Sequence, residues 1–292
     1  MRVDPNTTPG MLSALQRVTA SQNTALSQLA SGKKIQLPSD DPAAMASLIG
    51  AHSANSANSQ FLTAIKLVSI HVQVADSDLN SVSTGLERAI ALGVRGATGT
   101  MTDTDRNAIA AEIDGIRDQL LESANSSVEG IYLFSGTAAT TRPFIQSNGS
   151  VNYAGSQSSN QVAIGESLTV TTDLPGTQLF GDDPSGVFAS LQQLSAALRS
   201  NNAIPDPITA LRAARDQFAS ARVVYGNTLT QLNNSQLALQ QRGVQLAQQE
   251  TEIAGADLAE VVTRLTSSET ARNALLAALG KTNSGNLFDY LR

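Results

Sequence analysis

LRAARDQFASARVVYGNTLTQLNNSQLALQQRGVQLAQQETEI, residues 211–253, carries the strongest periodic signal in the chain. Within it Leu211, Phe218, Tyr225, Leu232, Leu239, Leu246 and Ile253 recur at an unbroken interval of seven. A helix over this stretch is about 65 Å long at ~1.5 Å per residue. A seven-residue repeat held that far keeps one seam against a partner helix in a left-handed supercoil. The alternate seam positions are Ala214, Ala221, Thr228, Ser235 and Arg242. Small residues there permit close approach, so a neighbouring helix must supply the bulk.

Outward from this segment the same helical period returns on both sides. Downstream, Leu258, Val261, Val262, Leu265, Leu275, Leu276 and Leu279 form a terminal amphipathic helix before GNLFDYLR. Upstream, Leu191, Leu194 and Leu198 mark a helix after Pro184, and Ile109, Ile113, Ile116, Leu120 and Leu121 mark one that begins at Asp103–Asp105. Before that, Leu62, Ile65, Val72, Leu79, Leu86 and Val94 lie near a heptad stripe that runs to about Gly96. Asp40 or Asp41 ahead of Pro42 reads as its start, a capping oxygen followed by proline in the first turn. The first helix carries Leu12, Leu15, Val18, Leu26 and Leu29, weakened by Thr19 and Gln22 at inward positions, and ends at Gly32.

Between Gly130 and Asp183 the period changes from helical to two. IYLF (131–134) is β-prone, and VAIGESLTV (162–170) reads as two short strands joined by Gly165-Glu166. The expected layout is mainly α with a small all-β insert, the N- and C-terminal helices matching in character and pairing in space. The outermost segments are apolar on one face only, so they need a partner to be buried.

Composition excludes most chemistry. The 292 residues contain no cysteine, which removes disulfides, thiolate metal sites and cysteine nucleophiles. Only His52 and His71 supply imidazole, at a spacing that does not bring them together on one helical face. Net charge is −6, and the four lysines (Lys33, Lys34, Lys66, Lys281) form no basic block, which disfavours nucleic acid. Charged residues are 15% and aromatics 4%, a chain of small side chains with few bulky anchors. No apolar run approaches the ~18 residues of a membrane span, and MRVDPNTTPGMLSAL carries no stretch of signal-peptide type. A soluble, acidic protein without a conventional export signal, and without membrane insertion, is expected.

Candidate sites yield to plainer readings. Asp103, Asp105 and Asn107 resemble the opening of a calcium loop, but its sixth and twelfth positions hold Ala108 and Asp114, so a helix cap is expected. Asp40 and Asp41 are paired carboxylates that the following proline marks as capping residues rather than an acid–base pair. The glycines of GVRGATG (93–99) follow no strand, so no phosphate-binding loop is read there. No GxSxG occurs, and Asn-x-Ser/Thr triplets at Asn6, Asn125, Asn148 and Asn233 are expected by chance. The residues describe an assembly or interaction protein: not an enzyme, with no cofactor, metal or small-molecule substrate.

Three motifs carry a resemblance. LSQLASGKKIQLPSDDPAAMA (26–46) resembles the N-terminal signature of flagellins and their relatives, and ADLAEVVTRLTSSETARNALLAALGKTNSGNLFDYLR (256–292) resembles their C-terminal helix. YLFSGTAATTRPF (132–144), VNYAG (151–155) and LPGTQLFG (174–181) resemble the hook-associated protein 3 branch of that family. The resemblance implies a flagellin-like fold of paired N- and C-terminal coiled-coil helices, an elongated helical middle layer and an outer β module. The corresponding boundaries are 1–42 with 255–292, 43–130 with 185–254, and 131–184. It implies a structural subunit between the hook and the filament of the bacterial flagellum, outside the cell, exported unfolded through the type III channel. Its implied partners are copies of itself in a ring, hook-associated protein 1, flagellin and a flagellar export chaperone. The implied assembly residues are Leu12, Leu15, Leu26, Leu29, Leu258, Val262, Leu265, Leu275, Leu276, Leu279, Phe288 and Leu291. A flagellin filament subunit and, in a different class, a cytosolic coiled-coil adaptor are the alternatives.

Overall fold

The computed structural model describes residues 7–98, 101–147, 149–182, 184–200 and 205–284. Phe288 and Leu291 lie outside them. In chain order the elements are α1 (Thr7–Ser31), α2 (Pro42–Gly96), α3 (Asp103–Ala124), β1 (Ser127–Val128), β2 (Ile131–Tyr132), β3 (Phe144–Ser147), β4 (Ser150–Tyr153), β5 (Gln161–Ala163) and β6 (Thr169–Thr171). Then follow α4 (Gly176–Phe180), α5 (Val187–Ser200), α6 (Pro205–Ala254) and α7 (Leu258–Ser284). The chain divides into two compact units: residues up to Ser56 with those from Gly243 onward, and Ala57–Arg242.

In the first unit α1 and α7 lie side by side. Gly32 ends α1 at φ 67°, a left-handed position that glycine adopts without the steric cost of a Cβ. The chain beyond it is tied to the α6–α7 break: Lys34 N–H donates to Ala254 O (2.6 Å) and Ala256 N–H to Gly32 O (3.0 Å). The Asp41 carboxylate caps α2, accepting from the N–H groups of Ala43 (3.1 Å) and Ala44 (2.9 Å). Asp40 instead accepts from Gln36 and Leu37 N–H, which holds its carboxyl below the usual range. Asp257 caps α7 in the same way, accepting from Ala259 and Glu260 N–H.

The second unit is built on the remaining helical segments. Along α6, Leu211, Phe218, Tyr225, Leu232 and Leu239 are buried, while Leu246 and Ile253, beyond this unit, are half-buried. Along α2, Ile65, Val72, Leu79 and Leu86 are buried. The expected continuation at Val94 is corrected: it is exposed, and Leu92 with Gly93 takes the inward place. A Cβ on Gly93 would lie 3.1 Å from the Leu194 side chain and 3.3 Å from that of Ile208, so the heptad runs through a glycine because two helices crowd that point. Helix α3 starts with a capping box in which Thr102 Oγ1 accepts from Asp105 N–H and the Asp105 carboxylate accepts from Thr102. The cap expected of Asp103 and Asp105 is therefore provided by Thr102, with Asp105 as its reciprocal partner.

Residues 131–184 are not purely β, because α4 follows two antiparallel hairpins there, β3–β4 and β5–β6, while β2 pairs with β1 upstream of the expected boundary. β1 and β2 join through Glu129 (φ 53°) and Gly130 (φ 83°), the double left-handed pair of a type I′ turn. The expected two-residue turn at Gly165-Glu166 is a five-residue loop from Ile164 to Leu168, closed by Ile164 N–H donating to Leu168 O (2.8 Å). Ile164 is drawn into the core, which moves the end of the ladder back to Ala163 and Thr169. These hairpins share their interior with the helices: Phe134, Phe144, Ile164, Val170 and Phe180 join Phe188, Phe218 and the α2–α6 seam residues in one cluster.

Candidate assembly surface

Among the described residues no group of three or more His, Asp or Glu side chains is arranged to hold a metal. His52 Nδ1 stands 3.7 Å from Glu250 in the first unit, and His71 belongs to the second, its Nε2 buried without a partner. Asp40, Asp41 and Asp105 are engaged at loops and helix starts, and Asp103 pairs with Arg106. No described helix is long and apolar enough to cross a membrane.

What the first unit offers instead is apolar surface. The α1–α7 pair closes on small or polar side chains, with Ala25, Gln28, Val261 and Ser268 buried. Small residues let two helices approach closely, which turns the larger ones outward. Leu12, Leu26, Leu29, Leu258, Val262 and Leu276 are accordingly exposed, by 39% at Leu29 to 52% at Leu12 and Leu258. Leu15, Leu265, Leu275 and Leu279 are half-buried. Thus the leucine stripe of each terminal helix, whose position suggests a seam within the pair, lies largely on its outside. Leu37 and Ile49 extend the exposed apolar set, and the sequence reading did not single them out.

The electrostatics suit burial. Helix α1 bears a single charged side chain, Arg17, over its 25 residues. On α7, Arg264 pairs with Glu260 one turn away, so two of its charges offset each other. A groove of about 550 Å³ between the two helices is edged by Arg17, Val18, Ser21, Glu260, Arg264 and Ser268. A second, of about 570 Å³, lies between α1 and the 34–41 loop. Its wall is a polar network: Ser27 donates to Gln36 Oε1 (2.7 Å), Gln36 Nε2 to Ser31 Oγ (2.6 Å), and Gln28 to Lys34 O (3.1 Å). Exposed leucines on these lightly charged helices leave the first unit with apolar side chains in solvent.

In comparison with known proteins, residues 7–139 match the bacterial flagellin N-terminal helical region. The chain is 32% identical to flagellar hook-associated protein 3 of Salmonella typhimurium, over 62% of this chain and 51% of that one. It is 30% identical to flagellar hook-associated protein 3 of Escherichia coli, over 66% of this chain and 63% of that one. The chain thus spans between half and two thirds of the length of these relatives. Its fold matches the crystal structure of the flagellar junction protein FlgL from Legionella pneumophila, at TM-score 0.59 and 15% identity, over 72% of this chain and 100% of that one.

Proposed function

We propose that this chain is a structural subunit of the bacterial flagellum that joins the hook to the filament and seats the first flagellin subunits. The observation that carries this reading is the outward leucine stripe of α1 and α7 in a chain whose sequence relatives are hook-associated protein 3. In this reading Leu12, Leu15, Leu26, Leu29, Leu258, Val262, Leu265, Leu275, Leu276 and Leu279 pack against neighbouring copies, with hook-associated protein 1 below and flagellin above; Phe288 and Leu291 are assigned the same role. The terminal helices then form the inner layer, the α2–α6 seam the middle layer and residues 131–184 the outer one. Export is through the flagellar type III channel with a dedicated chaperone, a route that a chain free of cysteine suits.

Leu26→Asp, Leu29→Asp and Leu276→Asp should each leave the melting temperature of the purified chain within about 2 °C, since exposed positions tolerate substitution within ±0.5 kcal/mol. Each should also deplete the chain from isolated hook–basal bodies at least tenfold. Undiminished incorporation of all three would overturn the proposal.

A further inference from the structure

We propose that Asn58, acting with Arg222, fixes the register in which α2 and α6 pair. Two helices whose seams both repeat every seven residues face a near-degenerate alternative. A slide of one heptad, about 10.5 Å along the axis, again sets apolar residue against apolar residue. A polar group in the seam breaks that degeneracy, at some cost in stability.

Asn58 stands one heptad before Ile65, and so in line with Ile65, Val72, Leu79 and Leu86. It is 4% exposed, a polar residue in an otherwise apolar row. Its Nδ2 donates to the Leu239 carbonyl of α6 (2.9 Å), and its Oδ1 is buried with no partner. The orphan acceptor says that Asn58 is there at the expense of stability. Leu239 is flanked along α6 by Ser235 and Arg242, the two most polar of the alternate seam positions. The amide therefore sits where the seam turns polar.

Sliding α2 one heptad toward the N-terminus of α6 would set the amide beside Leu232, which is fully buried. The same slide would break the second tie. Arg222 Nε donates to Asp76 Oδ1 (3.0 Å) and Nη1 to Asn80 Oδ1 (2.9 Å). One heptad back along α2 these partners are replaced by Ser69 and Gln73, neither of them charged. Both polar ties thus oppose the same slip, from points 17 residues apart on α6 (239 − 222).

The cysteine-free chain allows spin labels at Gln73→Cys and Leu237→Cys, both exposed, without further change. Pulsed dipolar spectroscopy on the full-length chain should give one distance. Asn58→Leu should raise the melting temperature by roughly 2–4 °C, because it removes an unpaired buried acceptor. That variant, or its double with Arg222→Ala, should show a second distance population reflecting an axial slip of about 10.5 Å. A single unchanged distance in both variants would overturn the proposal. So would loss of folding in Asn58→Leu, since an apolar residue in a seam registered by other means should stabilise it.

Discussion

Seen residue by residue, the second unit is centred on rings. Phe180 meets Phe134 at 5.7 Å, Phe144 at 5.2 Å, Phe188 at 5.5 Å and Phe218 at 5.0 Å between centroids, stacking on Phe188 and meeting the others edge-on. Edge-to-face pairs contribute beyond their buried area, and here they join α4, β3, α5 and α6. The cluster depends on Gly176, whose N–H donates to Phe134 O (2.9 Å). A Cβ there would lie 2.7 Å from the Phe144 ring and 2.9 Å from Phe134 O. Gly176→Ala should therefore cost about 1–3 kcal/mol by overpacking, read as a lower urea midpoint at unchanged slope.

Asp78 offers a test of the opposite sign. It is partly buried, one carboxylate oxygen has no partner, and burial raises its pKa above the ordinary value despite a hydrogen bond with Ser126. A group whose folded pKa is raised contributes most when protonated, and that contribution is lost as the pH rises through the folded pKa. Asp78→Asn, which stays neutral, should melt above the wild-type chain at pH 7. The gap should close as the pH falls below the raised pKa. A gap independent of pH would show that Asp78 is not under strain.

Among the elements, α6 gives the sharpest contrast. Leu232 is fully buried and Leu237, five residues on, is 52% exposed. Leu232→Ala should cost about 2–5 kcal/mol, whereas Leu237→Ala should stay within about ±0.5 kcal/mol. Equal effects in urea unfolding would refute a seam facing one way. This helix was legible because large residues recur at one interval, and the five from Leu211 to Leu239 are buried. The hairpins were less so. Glu129-Gly130 is not among the commonest hairpin pairs, yet its glycine and the Ser127–Val128 and Ile131–Tyr132 flanks fit a type I′ turn. The β3–β4 ladder closes through Gly149 at φ 88°, a signal present in the Asn148-Gly149 dipeptide. The terminal stripes were legible as apolar, but not their direction. Which face of α1 meets α7 is decided by how closely the helices approach, and Ala25, Gln28 and Ser268 allow the closer fit.

For the molecule as a whole, the two units divide the work. Unit two holds the large side chains and the ring cluster, and residues 131–184 share that interior, so the β hairpins are bound to the helices by packing. Among the described residues, unit one buries few side chains and turns leucines outward. A pair of helices so lightly loaded gains little in isolation; under the proposed function other chains cover its apolar surface. Under the same proposal this happens at one place, between hook and filament. Immunogold labelling of intact flagella, in a strain whose only copy of this chain carries an epitope tag, tests it directly. The expected result is label confined to the distal end of the hook, and bare hooks without filaments when the gene is deleted. Label distributed along the filament, or normal filaments after deletion, would contradict it.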